Sequence, residues 1–225
     1  MKRWLFALLV LVGLATALPA VAAPDWSKVA TKTATGSYVI GNPKAKVKLV
    51  EYLSYTCPHC AAFSKESAAT LKGQFVKSGS VSVELRNAVR DRADLAAAQL
   101  ARCAGPAGFS GATEVIFAAQ DTWLPEAIKY SEFNAARIAS YPINVQLQKV
   151  AAGAGLDTLM RARGMSQAAF DACFADTAAI DAIAKMSDAS WQAIHATPSF
   201  LLNGAAYDYK GWPDLEKALR AAGAH

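Results

Sequence analysis

The hydrophobic pattern changes its period along the first half of the chain. Apolar and polar residues alternate over 46–54 with the two-residue period of a β-strand, which places Val47 and Leu49 on one face. A helical pattern follows over 58–77, and the alternation returns over 80–86. The pattern therefore predicts a strand, a helix and a second strand, which need a right-handed crossover if the two strands are parallel.

The pattern becomes helical in the middle of the chain and returns to strands at its end. Residues 91–195 are rich in alanine and predict consecutive helices, separated at glycine and proline positions. Residues 197–209 predict a hairpin that turns at an Asn-Gly pair, and 213–222 predict a last helix. We therefore expect an α/β protein of order βαβ…ββα. Its sheet domain (36–90 and 196–225) is interrupted by an inserted all-helical domain.

The first residues of the chain have the form of a secretory signal. Lys2 and Arg3 precede an apolar stretch of roughly 14 residues, which is shorter than the roughly 20 residues of a transmembrane helix. Ala20 and Ala22 supply the small residues of a cleavage site. We expect cleavage after Ala22, so that 1–22 is a signal peptide and the mature protein is exported to the periplasm; a retained membrane anchor is the alternative.

The charge of the chain argues against one class of partner. The formal net charge is +5 at pH 7, and removal of the two basic residues of the signal leaves +3 (5 minus 2). Acidic and basic residues are interleaved, and no basic stripe lies beside aromatic residues. We therefore expect no nucleic-acid partner.

A C-x-x-C pair follows the first predicted strand, in the segment "YTCPHCAAF". Its cysteines are Cys57 and Cys60. A haem attachment site needs a histidine directly after the second cysteine, and this chain has Ala61 there. A structural zinc site commonly uses two such pairs, and a structural disulfide at this spacing closes too small a loop to stabilise much. A thiol-based metal-binding protein stays open as an alternative from a different class.

The position of this pair favours redox chemistry. Cys57 lies where the predicted strand passes into the helix, so that backbone N–H groups and the helix dipole face its sulfur. Such a setting favours the thiolate over the thiol, and His59 adds a nearby donor. A strand, a C-x-x-C pair and a helix in this order are typical of thioredoxin-like redox sites.

Three features together resemble the DsbA family of thiol:disulfide oxidoreductases. They are the segments "EYLSYTCPHC" and "ATPSFLLNG" and the central helical insertion. The resemblance implies a thioredoxin-like fold in which Cys57 is the exposed, attacking cysteine and Cys60 is its buried partner. It also implies that Pro58 and His59 tune the redox potential.

The resemblance also concerns the residues before the predicted hairpin. It implies that Pro198 is the cis-proline that packs against the disulfide, whereas an ordinary proline at the start of a strand is the alternative. Backbone groups of Thr197 would then pair with an extended substrate peptide. Threonine before this proline is typical of the isomerase-type relatives, whereas the best-known DsbA oxidases have valine there.

One carboxylate lies on the inward face of the first predicted strand. Glu51 shares this face with Val47 and Leu49, so that its side chain points towards the core. Burial disfavours a charged carboxylate and raises its pKa. DsbA-like proteins resemble one another in having an acid below the active site, and Glu51 precedes Cys57 by six residues. We hypothesise that Glu51 transfers a proton for Cys60; a carboxylate that reaches solvent or a lysine is the alternative.

The two remaining cysteines fall in the helical block. An even number of cysteines in an exported protein favours disulfides. Pairing of Cys57 with Cys60 leaves Cys103 with Cys173, which are 70 positions apart (173 minus 103). We expect a structural bridge rather than a second redox centre, with two separate buried thiols as the alternative.

Together these observations predict a periplasmic enzyme that donates the Cys57–Cys60 disulfide to reduced exported polypeptides. The resemblance implies no cofactor, and it implies that a DsbB-like membrane quinone reductase reoxidises the enzyme. The segment between the predicted cleavage site and the first strand is too short for the dimerisation domain of related isomerases, so we expect a monomer. The alternative on the same fold is an isomerase or reductase that a different membrane partner keeps reduced.

Overall fold

The computed structural model describes residues 24–225, so that the predicted signal peptide lies outside the described residues. Six strands in this part of the chain form one mixed sheet. The first strand was not predicted, because its three residues are too few to show an alternation. Residues 37–40 predict a short edge strand; the strand is present, but the first strand lies outside it in the sheet. The strands are β1 (Ala30–Lys32), β2 (Tyr38–Gly41), β3 (Val47–Leu53), β4 (Val81–Asn87), β5 (Ser199–Leu202) and β6 (Ala205–Tyr207).

The order of the strands puts the C-x-x-C pair at the end of a central strand. The order is β1-β2-β4-β3-β5-β6, in which β3 and β4 are parallel and every other neighbouring pair is antiparallel. The register places Glu51 of β3 between Leu85 of β4 and Phe200 of β5. The predicted strand–helix–strand unit is therefore confirmed, and its two strands are parallel.

Helices make up most of the remaining chain. Helix α1 (Pro58–Ser67) continues into a π-helical stretch, Ala68–Val76, which leads towards β4. Between residues 24 and 225, no helix is both long and apolar enough to cross a membrane. The other helices are α2 (Arg92–Cys103), α3 (Gly105–Ala118), α4 (Gln120–Phe133), α5 (Ala135–Ala139), α6 (Ile143–Gly153), α7 (Leu156–Arg161), α8 (Gln167–Ala175), α9 (Thr177–Ala193) and α10 (Trp212–Ala221).

The helical block formed by α2 to α9 lies in the chain between β4 and β5. The block and one face of the sheet share a continuous apolar cluster of buried side chains. Tyr38 of β2 stacks on Phe109 of α3 with the ring centroids 4.1 Å apart. Arg102 of α2 donates a hydrogen bond to the carbonyl oxygen of Gly36. The helical block is thus packed directly on the sheet, and its description as a separate domain stays a prediction.

The opposite face of β3 is also buried. Val50 and Tyr52 lie there against Ala88 and Ile194, the residue that follows α9. Trp191 of α9 packs on this cluster and donates its indole N–H to a backbone carbonyl oxygen at 2.9 Å. A strand buried on both faces is typical of the parallel part of an α/β sheet. The end of β3, from which the active-site loop leaves, is therefore held on both sides.

Candidate active site

The loop between β3 and α1 carries the first cysteine of the pair. Cys57 precedes α1 with an extended backbone (φ −89°, ψ 117°), and Pro58 occupies the first helical position. Proline fits there because the N–H that it lacks would have no partner within the helix. The backbone N–H groups of His59 and Cys60 donate hydrogen bonds to the Cys57 sulfur. The sulfur thus lies at the positive end of a helix.

Both cysteines of the pair are buried in this reduced form. Cys57 is 3 % exposed and Cys60 is 0 % exposed, whereas Pro58 and His59 are exposed. The expectation of an exposed Cys57 was therefore wrong for the free, reduced protein. The physical reason is the packing of Thr197, whose carbonyl oxygen accepts a hydrogen bond from the Cys57 thiol at an Sγ–O distance of 3.2 Å.

The surroundings of Cys57 favour its thiolate. A hydrogen bond from Cys60 makes the largest contribution, and bonds from the Thr197 side chain and from the backbone N–H groups of the first helical turn add to it. Burial acts in the opposite direction, because it disfavours a charge. The net result is that the pKa of Cys57 falls from an ordinary 9.0 to about 5.

Cys60 has the opposite character. Burial raises its pKa far above the usual range, and the hydrogen bond to Cys57 and the charges of Glu51 and Cys57 raise it further. Cys60 therefore remains a thiol that can donate to a Cys57 thiolate. The two sulfurs are thus chemically unequal, since a thiol of low pKa is the better leaving group in thiol–disulfide exchange.

The loop before β5 reaches this pair from the far end of the chain. The Thr197-Pro198 peptide bond is cis, and β5 begins directly after it, with Ser199 opposite Tyr52 of β3. The hydrogen bond between Cys57 and Thr197 joins residues that are 140 positions apart. The pairing of Thr197 with a substrate peptide stays a prediction.

Glu51 lies on the inward face of β3. The residue is 6 % exposed, and its Oε1 atom has no hydrogen-bond partner among the described residues. Burial, and after it the charge of Cys57, raises the pKa of Glu51 to about 8. Glu51 also raises the pKa of Cys60, so the two groups interact electrostatically. A carboxyl group that is protonated near neutral pH beside a buried thiol has the pKa that general acid–base chemistry requires.

A cavity of about 640 Å³ opens beside Glu51. It lies between α1 with its π-helical continuation and α3, and its lining is mainly apolar, with Phe63, Leu71 and Phe117 among its wall residues. Pro58 of the C-x-x-C pair also lines this cavity. Glu51 therefore lies in the wall of a cavity that also reaches the C-x-x-C pair at Pro58.

Sequence reasoning missed the residues that contact the active-site loop from the helical block. Asp94 of α2 accepts hydrogen bonds from the backbone N–H groups of Tyr55 at 2.7 Å and Arg90 at 3.0 Å. Gln120 of α4 donates from Nε2 to the carbonyl oxygens of Tyr55 at 2.7 Å and Cys57 at 3.1 Å. An Asp-x-x-Asp pattern marks the start of α2 in the sequence. That pattern predicts a helix start, but not a contact with a loop 39 residues earlier.

The two other cysteines form a disulfide. Cys103 ends α2 and Cys173 lies in α8, and their Cα atoms are 5.7 Å apart. Cys103 is exposed, whereas Cys173 is buried. The bond therefore joins two helices of the helical block, and its purely structural role stays a prediction.

Comparisons with known proteins match most of the chain. A family model described as Thioredoxin matches residues 33–221. The crystal structure of a protein-disulfide isomerase from Novosphingobium aromaticivorans is similar with a TM-score of 0.75 and 30 % identity, over 81 % of this chain and 95 % of that one. Wolbachia pipientis alpha-DsbA1 is similar in fold, with a TM-score of 0.62 and 23 % identity over 83 % of this chain and 90 % of that one.

Curated sequences match a shorter part of the chain. A Rickettsia conorii protein named as a protein-disulfide oxidoreductase is 36 % identical over 97 residues, which are 43 % of this chain and 35 % of that protein. A Rickettsia typhi protein of the same name is 36 % identical over 98 residues, which are 43 % of this chain and 36 % of that protein. The match thus spans about a third of the length of these curated relatives.

Proposed function

The chain belongs to the Thioredoxin family, and from this premise we propose that it donates the Cys57–Cys60 disulfide to reduced polypeptides. The predicted thioredoxin-like fold with a helical block is confirmed by the family match and by the likeness to the Wolbachia structure. One observation carries the proposal. Cys57 lies at the N-terminus of α1, with the fully buried Cys60 in the first turn and the carbonyl oxygen of Thr197 against its sulfur, and this setting lowers its pKa to about 5.

The reaction consists of two thiol–disulfide exchanges. A substrate thiolate attacks the Cys57 sulfur, and the Cys57–Cys60 bond breaks with its electron pair going to Cys60. Cys60 then takes a proton, which Glu51 supplies because burial keeps its carboxyl group protonated near neutral pH. A second substrate thiolate attacks the substrate sulfur of the mixed disulfide, and Cys57 leaves as a thiolate. Two substrate thiols are thereby oxidised to one disulfide, and the cysteine pair is reduced.

The low pKa of Cys57 favours this direction. A lowered pKa stabilises the reduced protein at every pH above about 5, because the thiolate exists only after reduction. At pH 7 the stabilisation is about 3 kcal/mol (7 minus 5, at about 1.36 kcal/mol per pH unit), or about 60 mV for two electrons. A stabilised reduced form makes the disulfide a stronger oxidant.

The proposal includes the cellular setting. The protein acts in the periplasm after removal of 1–22, as a monomer, on reduced exported polypeptides. A DsbB-like membrane quinone reductase returns the cysteine pair to the disulfide. The form of the first residues supports export, and the balance of the reaction requires an electron acceptor for each turnover.

Two observations favour an isomerase as the second candidate. The Novosphingobium structure with 30 % identity is that of a protein-disulfide isomerase. Thr197 precedes the cis-proline, as in the isomerase-type relatives.

A metal-binding function has less support, since residues 24–225 contain no group of three or more His, Cys, Asp and Glu side chains that could hold a metal ion.

The equilibrium of the cysteine pair with glutathione tests the proposal. We expect the pair to remain reduced until the glutathione buffer is strongly oxidising. The double variant C103S/C173S should give the same equilibrium constant, since the pair in the helical block is not the redox centre. A strongly reducing potential, like that of thioredoxin, would instead support the reductase or isomerase.

A further inference from the structure

The residues of the active-site loop are buried, so that its backbone groups depend on hydrogen-bond partners within the protein. Ser54, Tyr55, Thr56 and Cys57 are all less than one-tenth exposed. A buried backbone N–H or carbonyl group that loses its partner costs about 1–3 kcal/mol, because no water replaces the bond. The partners of this loop therefore decide its conformation.

Two of these partners come from the helical block rather than from the sheet. Asp94, in the first turn of α2, accepts the Tyr55 N–H at 2.7 Å, and its second oxygen accepts the Arg90 N–H at 3.0 Å. Gln120, the first residue of α4, donates to the carbonyl oxygens of Tyr55 and Cys57. Asp94 is 0 % exposed and Gln120 is 3 % exposed, so neither side chain has an alternative partner in solvent.

These bonds fix the backbone on which the Cys57 sulfur depends. The Cys57 carbonyl oxygen accepts from Gln120 at 3.1 Å and from the Ala61 N–H of α1 at 3.2 Å. The peptide group between Cys57 and Pro58 is therefore held from both sides. Its orientation sets the direction of the sulfur relative to the N–H groups of the first turn of α1, which stabilise the thiolate.

The structure assigns Asp94 and Gln120 a role as positioning residues for the Cys57 thiolate. The helical block thus holds the backbone of the active-site loop in place, in addition to any contact that it makes with substrates. Only the functional consequence of this inference rests on the proposed function: if the loop is held less firmly, the disulfide becomes a weaker oxidant.

Three single variants of the full chain separate positioning from stability. D94N keeps the size of the side chain but puts an amide N–H where an acceptor is needed, and Q120M removes the donor to both carbonyl oxygens. Q99M is the matched control, because Gln99 is also a buried glutamine of the helical block, but it donates to the Cys173 carbonyl oxygen at 2.6 Å. The rate of Cys57 alkylation against pH measures the pKa in each reduced protein, and thermal unfolding measures stability.

We expect D94N and Q120M each to raise the pKa of Cys57 by about one unit, which weakens the disulfide as an oxidant of glutathione roughly tenfold at pH 7. Q99M should lower the unfolding temperature without changing the pKa of Cys57 or the equilibrium with glutathione. The direction in which D94N changes the pKa of Cys57 distinguishes two roles of Asp94. If Asp94 acted only as a nearby negative charge, its removal would lower the pKa of Cys57.

The role of Asp94 and Gln120 is refuted if both variants lose stability, like Q99M, while the pKa of Cys57 stays at the wild-type value. It is also refuted if the pKa falls in D94N and is unchanged in Q120M. If D94N does not fold, the pKa of Cys57 in Q120M decides whether the role stands, because Q120M alters no charge. The wild-type glutathione equilibrium decides the proposed function separately. A reducing wild type would overturn that function while leaving the comparison of variants intact.

Discussion

Replacement of Cys60 tests the cause of the low pKa of Cys57. The hydrogen bond that Cys60 donates is the largest contribution to that pKa, followed among the favourable ones by the Thr197 side chain and the backbone N–H groups. The variant C60A removes the side-chain donor, whereas C60S keeps a donor of similar size. Both variants keep the start of α1, so the comparison separates the side-chain bond from the helix N-terminus.

The expected magnitude follows from the strength of a charge-assisted hydrogen bond. Such a bond contributes about 1.5–3 kcal/mol, which corresponds to about one to two pKa units. From about 5 in the wild type, the pKa of Cys57 should therefore rise to about 6–7 in C60A and change little in C60S. Cys60 itself adds no titration to the wild-type curve, because burial raises its pKa far above the range measured.

The assay is the rate of alkylation of Cys57 by iodoacetamide as a function of pH. The measurement uses a C103S/C173S background, in which no other thiol of the described chain contributes once Cys60 is replaced. A pKa near 5 in C60A would refute the reasoning, because the helix N-terminus and Thr197 would then suffice. An equal rise in C60A and C60S would also refute it, because a hydroxyl donor would have failed to replace the thiol.

Further outcomes concern stability. In the reduced protein, burial and the Cys57 charge disfavour the ionised Glu51; the resulting contribution to stability is full below pH 4.5 and is lost as pH rises through about 8, up to about 5 kcal/mol (8 minus 4.5, at about 1.36 kcal/mol per pH unit). E51Q should remove this slope in urea unfolding, and an unchanged slope would contradict it. C103S/C173S should lower the unfolding free energy by about 4 kcal/mol, from the entropy of a loop closed across 70 residues; a loss near zero would show that the bond is not structural. F63A should cost about 3–5 kcal/mol, because the buried Phe63 ring packs on Phe200; a negligible loss in the same assay would show that the core adapts.

The sequence by itself determined the outline of the fold and the position of the cysteine pair. The alternation over 46–54 corresponds to β3, and the helical pattern that begins at Pro58 corresponds to α1 and its π-helical continuation. These predictions succeed because a strand or helix leaves its period in the residues themselves, and proline marks a first helical turn wherever the helix packs. The position of Cys57 at the N-terminus of α1 is local in the same sense.

The tertiary structure alone decided how the pair is surrounded. Cys57 is buried because Thr197, 140 positions away, lies against its sulfur, and the backbone of the loop is held by Gln120, 63 positions away from Cys57. No periodicity or spacing in the sequence shows such contacts, because they depend on how the helical block and the last strands close over β3.

The two carboxyl groups near the loop show the same difference between what the sequence pattern predicts and what the tertiary structure decides. The alternation placed Glu51 on the inward face, but its pKa of about 8 depends on desolvation and on the nearby Cys57 charge. Asp94 lies in the first turn of α2, yet it is fully buried, and burial raises its pKa to about 7 while the Tyr55 N–H lies against it. Residue order can specify which face a side chain takes. The free energy of its charge is set by the atoms that the folded chain brings around it.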